Sequence, residues 1–320
     1  MLTVPMAGAD AASGAGITRG QFLAGTAGAL SMFALGRDGH ARASPGQMLT
    51  RPIPSSGALL PIVGCGTWRT FDVDAGAAAR APVAGVLAVL FAAGGSVIDS
   101  SPMYGRAEAV VGDLLAAAGS RAHAFLATKV WTEGRAAGIA QMERSFALLR
   151  TPRIDLMQIH NLLDWRHHLP TLRAWKREGR IGYLGVTHYT SSAYADLEAV
   201  MKRETLDFVQ LNYSVDDRAA ERRLLPLAVE RGIAVIVNMP FGGGGTLRAL
   251  LGRPLPGWAA EIGCTGWAQV LLKFVLGHPA VTCVIPGTSK PDHMRDNAQA
   301  GFGAMPNAAL RMRMVAELGF

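Results

Sequence analysis

From residue 62 onward the chain alternates short, continuous apolar runs with longer segments of helical spacing. Residues 62–66, 97–99, 124–129, 154–160, 182–187, 208–212, 233–239 and 281–286 read as strands. Runs this short, with little polar alternation, suit strands buried on both faces of a parallel sheet. Residues 75–93, 106–118, 139–149, 169–178, 192–202, 219–231, 265–276 and 291–300 read as the intervening helices, with serines capping the one at 192–202. Residues 51–54 and 59–61 flank Ser55-Ser56-Gly57, the pattern of a small hairpin, and 305–318 reads as one more helix. Strand–helix units recurring every ~25–30 residues predict an α/β fold, a (β/α)8 TIM barrel with a short N-terminal β-hairpin and a C-terminal extra helix. No linker or shift of composition divides residues 44–320, which therefore read as a single domain.

The first 43 residues have a different character. Arg19 precedes an apolar, Ala/Gly-rich run at 22–35, too short to span a bilayer, and Ala41-Arg42-Ala43 offers a small-x-small cleavage pattern. That order is the layout of an export signal, so residues 1–43 are expected to engage the export machinery and be removed. Thr18-Arg19-Gly20-Gln21-Phe22-Leu23 looks like a twin-arginine box whose second arginine is glycine. The expected location is periplasmic or otherwise exported, without stable membrane insertion after processing. The alternative is a cytoplasmic protein with a hydrophobic N-terminal helix.

The net charge of +7 changes the picture little, because the basic residues are dispersed. Arg222-Arg223 and Lys202-Arg203 are isolated pairs on helix-like segments, not a nucleic-acid footprint. Cys65, Cys264 and Cys283 lack both a disulfide framework and zinc-site spacing and read as small buried hydrophobes.

The candidate chemistry lies at the strand ends, which in such a barrel converge on one rim. Asp99 ends the second strand with Tyr104 in the loop beyond it, Lys129 ends the third, and His160 ends the fourth. Burying an unpaired ammonium is costly, so Lys129 requires an acid such as Asp99 beside it. A phenol has a reference pKa of about 10, too high for efficient proton exchange near neutrality. An ammonium ~4 Å away, at an effective dielectric of about 20, favours phenolate by about 4 kcal/mol. The expectation is that Lys129 makes Tyr104 markedly more acidic while His160, as neutral imidazole, aims a carbonyl. Protonating a carbonyl oxygen as hydride arrives from a nicotinamide fits this set.

With these residues in place, the chain resembles the aldo/keto reductase superfamily over residues 51–303. The resemblance rests on Val63-Gly64-Cys65-Gly66-Thr67-Trp68, Asp99-Ser100-Ser101-Pro102-Met103-Tyr104-Gly105 with Glu108 and Gly112, Thr128-Lys129, and Asp155-Leu156-Met157-Gln158-Ile159-His160. It continues through Gly185-Val186-Thr187, Gln210-Leu211-Asn212-Tyr213, and Ile285-Pro286-Gly287-Thr288 to Asn297. It implies an NAD(P)H-dependent oxidoreductase that reduces a small aldehyde or ketone, or runs the reverse oxidation. Tyr104 is then the general acid/base, Lys129 and Asp99 tune it, and His160 orients the carbonyl.

The resemblance also assigns cofactor positions. Gly66 and Thr67 lie at the first strand end. Thr187-His188 stands where the family holds the nicotinamide carboxamide with Ser-Asn, Gln210 matches the glutamine contacting the same amide, and Asn238 replaces the stacking aromatic. Phe241, Gly242, Gly243 and Leu247 belong to the loop over the pyrophosphate, Gly287, Thr288 and Ser289 to the adenosine-phosphate site, and Asn297 to the adenine. The family's 2′-phosphate cations align with Gly287 and His293, leaving Lys290 or Arg295 as substitutes. NADPH is favoured, with NADH as the alternative. Trp68, Met103 and Trp131 flank the catalytic residues as pocket walls. Two rival readings are a nucleotide-sensing subunit without turnover, and a metal-dependent hydrolase with Asp99, His160 and His188 as ligands. The second leaves Lys129 and Tyr104 without a role.

Overall fold

The apolar runs become the staves of a barrel, because a strand without a polar face is buried only between an inner and an outer layer. The computed structural model describes residues 46–320, and the expected export signal at 1–43 lies outside the described residues. Strand β1 (Thr50–Pro52) pairs antiparallel with β2 (Leu59–Pro61), the expected hairpin. Eight parallel strands follow: β3 (Cys65–Gly66), β4 (Val97–Asp99), β5 (Phe125–Val130), β6 (Ile154–Ile159), β7 (Ile181–His188), β8 (Phe208–Asn212), β9 (Ala234–Asn238) and β10 (Val281–Val284). They pair in sequence order, and parallel bridges Val63–Val284 and Gly66–Gly287 join the first to the last. The result is the (β/α)8 barrel the pattern predicts.

Around it run α1 (Ala77–Ala92), α2 (Ala107–Ala117), α3 (Arg135–Leu148), α4 (Trp165–Arg177), α5 (Tyr194–Arg203), α6 (Leu224–Arg231), α7 (Gly245–Leu250), α8 (Trp258–Glu261), α9 (Trp267–Leu276), α10 (Pro291–Gln299) and α11 (Ala308–Leu318). Helices α2 and α3 meet so closely that a Cβ on Gly112 would stand 2.1 Å from the Leu148 carbonyl oxygen, which explains glycine there. Among the described residues no helix is long and apolar enough to cross a membrane.

Several boundaries differ from the sequence pattern for local reasons. The helix expected at 219–231 breaks at Arg223 (φ −143°, ψ −47°), leaving a 3-10 turn at Ala219–Arg222 before α6. Helix α5 is capped by Ala193 after a 3-10 turn at Ser191–Ala193, so the serines do not cap it by side chain. Helix α4 starts at Trp165, four residues before the expected 169, and carries Pro170 inside it. This puts His168 on a buried helix face, its Nε2 2.7 Å from the Thr132 carbonyl oxygen. The glycine run, expected as a flexible loop, is a 3-10 turn at Gly242–Gly244 leading into α7. The three glycines there have φ of 56°, 65° and 91°, a conformation most other residues avoid.

Two apolar layers result. One fills the space between strands and helices; the other lines the barrel and includes Val97, Ala127, Leu156, Phe208, Ala234 and Ile236. Ile53 and Leu60 of the hairpin join this inner layer, and the buried Arg51 guanidinium donates to the carbonyls of Leu276, His278 and Val281. Strand side chains alternate with a period of two. The residues two positions beyond that inner layer therefore also face inward: Asp99, Lys129, Gln158, Gln210 and Asn238.

Candidate active site

That parity assembles the site. Lys129 is fully buried, and its ammonium donates to Asp99 Oδ2 at 2.6 Å and to the Ser100 carbonyl at 2.7 Å. The same nitrogen lies 4.9 Å from the centre of the Tyr104 ring. Asp99 Oδ1 accepts from the amides of Gln158 at 3.2 Å and Gln210 at 2.9 Å, while Thr187 Oγ1 donates to Gln210 Oε1 at 3.2 Å. One carboxylate thus receives three donors, an arrangement built for an anion. Thr67 donates through Oγ1 to the Asp99 carbonyl at 3.0 Å, fixing β3 against β4.

His160 stands edge-on to Tyr104 with ring centres 5.8 Å apart, and its Nδ1 lies 3.0 Å from Ser101 Oγ. Burial first, then the charges of Lys129 and His188, push its pKa down to about 2, so the imidazole is neutral. Burial also lowers His188, against the pull of Asp196. At Lys129 burial opposes the charge, but Asp99 and then Tyr104 outweigh it, and the pKa ends above the ordinary lysine value.

Tyr104 departs from the expectation. The surrounding protein strips water from a phenolate and raises the pKa above 10.0; Lys129 pulls it down, and Asp99 pushes it up again. The ammonium is tied into a 2.6 Å ion pair, so the phenol meets something closer to a dipole than a free cation. The phenol in this structure is therefore less acidic, not more.

Trp68, Met103 and Trp131 stand exposed at the rim at 50%, 38% and 40%, with the Trp131 ring 6.4 Å from that of His160. Gly66 and Thr67 lie beside Asp99 across the β3–β4 ladder. Asn238 Oδ1 is buried without a hydrogen-bond partner. Phe241 precedes the glycine turn with Leu247 in α7; a Cβ on Gly242 would meet Asp216 Oδ2 at 2.3 Å, so only glycine fits that turn. Gly287 bridges to Gly66, Thr288 Oγ1 accepts from the Lys290 N–H at 3.1 Å, Ser289 and Lys290 are exposed, and Asn297 is buried on α10. Ser101 and Gln158 received no individual role from the sequence. The inward parity Leu156-x-Gln158 is the signal that marks Gln158, and it also marks Gln210. Among the described residues no cluster of three or more His, Cys, Asp or Glu side chains could hold a metal.

This geometry has counterparts. Residues 62–308 match the aldo/keto reductase family. An uncharacterised oxidoreductase of Bacillus subtilis, YqkF, is 26% identical over 245 residues, covering 63% of this chain and 76% of that protein. Pyridoxine 4-dehydrogenase of Escherichia coli is 29% identical over 132 residues, 41% of this chain and 43% of that one. Among solved structures, an aldo/keto reductase from Klebsiella pneumoniae in complex with NADP and acetate superposes with a TM-score of 0.68 at 26% identity, covering 82% of this chain and 92% of its own. The holo form of an aldo-keto reductase from Bacillus halodurans also gives 0.68, at 25% identity, covering 85% and 96%. A family match over most of the chain, on a barrel whose strand ends and the loop after β4 gather Asp99, Lys129, His160 and Tyr104 at one rim, leads to one conclusion: the chain belongs to the aldo/keto reductase family.

Proposed function

We propose that this chain is an NADPH-dependent carbonyl reductase that reduces an aldehyde or ketone to an alcohol, or runs the reverse oxidation, with Tyr104 as proton donor. The observation that carries the reading is the buried Lys129–Asp99 ion pair set 4.9 Å from the centre of the Tyr104 ring. When bound, the nicotinamide supplies the hydride. Tyr104 keeps its proton at neutral pH and gives it to the carbonyl oxygen as negative charge develops there. Lys129 lowers the cost of the phenolate left behind, and Asp99 holds the lysine in place. His160 is neutral with Nδ1 engaged by Ser101, leaving Nε2 for a carbonyl oxygen.

The residues present fit the cofactor. Asn238 Oδ1 is left without a partner at the end of β9, and Thr187, His188 and Gln210, at the ends of β7 and β8, would hold the nicotinamide carboxamide. The glycine turn at Gly242–Gly244 admits close approach of a pyrophosphate, and Gly287, Thr288, Ser289, Lys290 and Asn297 would hold the adenosine end. The NADP and NADPH in the Klebsiella pneumoniae enzyme support the same choice.

The test is turnover of a broad aldehyde panel with NADPH by the parent and by Tyr104→Phe. Loss of at least a hundredfold in kcat, with cofactor affinity kept, supports the reading. Cofactor binding without turnover by the parent overturns it in favour of a sensing subunit. Residues 1–43 form part of the proposal as an export signal, and the mature enzyme would leave the cytoplasm folded with cofactor bound. Processed envelope protein that carries no cofactor and binds none would refute that part.

A further inference from the structure

Glu108 is a buried acid with no part in the chemistry described so far. It is the second residue of α2, and its Oε1 accepts from the Thr128 hydroxyl at 2.6 Å. Thr128 is fully buried as well. Taking a carboxyl out of water is costly, and two apolar side chains of the same shape would join α2 to β5 at less cost. Stability alone does not account for the pair.

What distinguishes it is where its two members sit. Thr128 directly precedes Lys129 on β5, and successive strand side chains point to opposite faces. The strand is therefore gripped from both sides at this point. Inside the barrel Lys129 donates to Asp99, and on the helix side Thr128 donates to Glu108. Glu108 in turn follows Tyr104 by about one helical turn. The Tyr104 carbonyl accepts from the Ala107 N–H at 3.2 Å, so the tyrosine loop runs into α2 without slack. One 2.6 Å contact thus ties the segment carrying the phenol to the strand carrying the ammonium.

The other holds on that segment are weaker or less directional. Asp72 Oδ1 accepts from the Arg106 N–H at 3.1 Å and from its Nε at 3.0 Å, but these side chains are 44% and 54% exposed, where an ion pair contributes little. The buried Val110 and Val111 of α2 pack without preferred direction, which resists separation more than sliding. Burial raises the Glu108 carboxyl above its ordinary range, against the Thr128 and Ser145 hydroxyls and then the charges of Lys129 and Arg144. In either protonation state one carboxyl oxygen accepts the Thr128 hydroxyl, so the contact persists through a pH profile.

We infer that Glu108 is a positioning residue for the proposed reduction: through Thr128 it sets the separation between the Tyr104 ring and the Lys129 ammonium. The inference rests on the reductase reading for the role of Tyr104 as proton donor.

The test uses the full chain, NADPH and an aldehyde the parent reduces, with kcat, KM, pH–rate profiles and urea midpoints measured for each variant. Thr128→Val keeps the shape of the side chain and removes the hydroxyl. It should lower kcat roughly tenfold to hundredfold, the effect of misplacing a reacting group by about 1 Å, and leave KM and cofactor affinity within about twofold. A retreat of the ammonium by about 1 Å, at an effective dielectric of about 20, should move the Tyr104 bend up by roughly half a pH unit. Glu108→Gln keeps an acceptor for Thr128, so the bend should stay in place with kcat within about threefold of the parent. Glu108→Met combined with Thr128→Val strands neither polar group, so the urea midpoint should recover most of the loss seen in Thr128→Val, while kcat and the bend should not recover. Recovery of kcat together with the midpoint, a bend unmoved in Thr128→Val, or a bend moved as far by Glu108→Gln overturns the inference and leaves the reductase reading standing. If the parent reduces no carbonyl, the reductase reading falls, and the phenol is titrated directly by the alkaline absorbance difference between each protein and its Tyr104→Phe counterpart. A higher midpoint in Thr128→Val then keeps the clamp, and an equal one ends it.

Discussion

The ammonium nitrogen of Lys129 lies 2.6 Å from Asp99 Oδ2, with the two side chains 0% and 3% exposed. Removing one member of a buried pair strands the other without water or partner, a cost of about 3–5 kcal/mol. Asp99→Asn should therefore shift the urea midpoint strongly downward, and Lys129→Met added to it should recover part of the loss. An Asp99→Asn protein as stable as the parent would mean that the pair does not anchor the rim. The pH dependence follows from the direction of the lysine shift. Its folded pKa lies above 10.5, so its contribution is whole below that pH and disappears only as pH climbs through the raised folded value. The parent should resist alkali further than Asp99→Asn does.

At Tyr104 burial prevails over the neighbouring cation, so the phenol carries its proton through neutrality. On the proposed mechanism reduction consumes that proton and is expected to run level with pH up to about 9, falling only beyond the ordinary tyrosine range of about 10. Oxidation requires the phenolate and should climb over the same interval. Lys129→Met removes the influence that favours phenolate, so the bend in the pH–rate profiles of both directions should move to higher pH. Paired pH–rate profiles check this; a bend that stays where it is in the parent would refute the role given to Lys129.

Much of this site was legible because its residues terminate apolar runs. A polar side chain closing a buried strand, as at Asp99, Lys129 and His160, declares both its depth and its rim. Gln158 was less visible because its role depends on a carboxylate two strands away. Ser101 matters only through its distance to His160, which no spacing records. For the acidity of Tyr104 the sequence points the wrong way, since the charge of Lys129 is apparent there while burial and the opposing field of Asp99 are not. The glycine run shows the same limit: four consecutive glycines suggest slack, yet the chain uses their positive φ to make a defined turn.

His160 gives the fold an acid weakness. Its folded pKa is about 2 against 6.5 in the unfolded chain, so between those values only the unfolded state takes the proton. Stability is complete above pH 6.5 and drains as pH falls, at about 1.4 kcal/mol per pH unit from this residue. His278, lowered to about 4 chiefly by burial, adds to the slope from 6.5 down to 4. Urea titrations at pH 7, 6, 5 and 4.5 should show the decline, and His160→Gln should flatten it while abolishing activity. A parent whose midpoint does not move between pH 7 and 4.5 would contradict a neutral, buried His160.

On the proposed reading, preference for NADPH turns on two cations of α10, one at its N-cap and one within it. Lys290 is its N-cap residue, and Arg295 pairs with Asp292 at 2.5 Å, with side chains 62% and 88% exposed. An exposed pair of this kind holds its members by only about 0.2–1 kcal/mol, so a phosphate dianion can displace Asp292 from the guanidinium. Asp292→Asn should therefore tighten NADPH roughly twofold to fivefold and leave NADH unchanged, since NADH offers nothing for the freed arginine. Lys290→Met should weaken NADPH selectively, and the difference between the two cofactors should shrink as salt is raised. Fluorescence titrations of both cofactors at low and high ionic strength measure all three effects. If Asp292→Asn alters NADH as much as NADPH, Arg295 does not read the 2′-phosphate, and Lys290 is left as the sole cation at this end of α10 for the task.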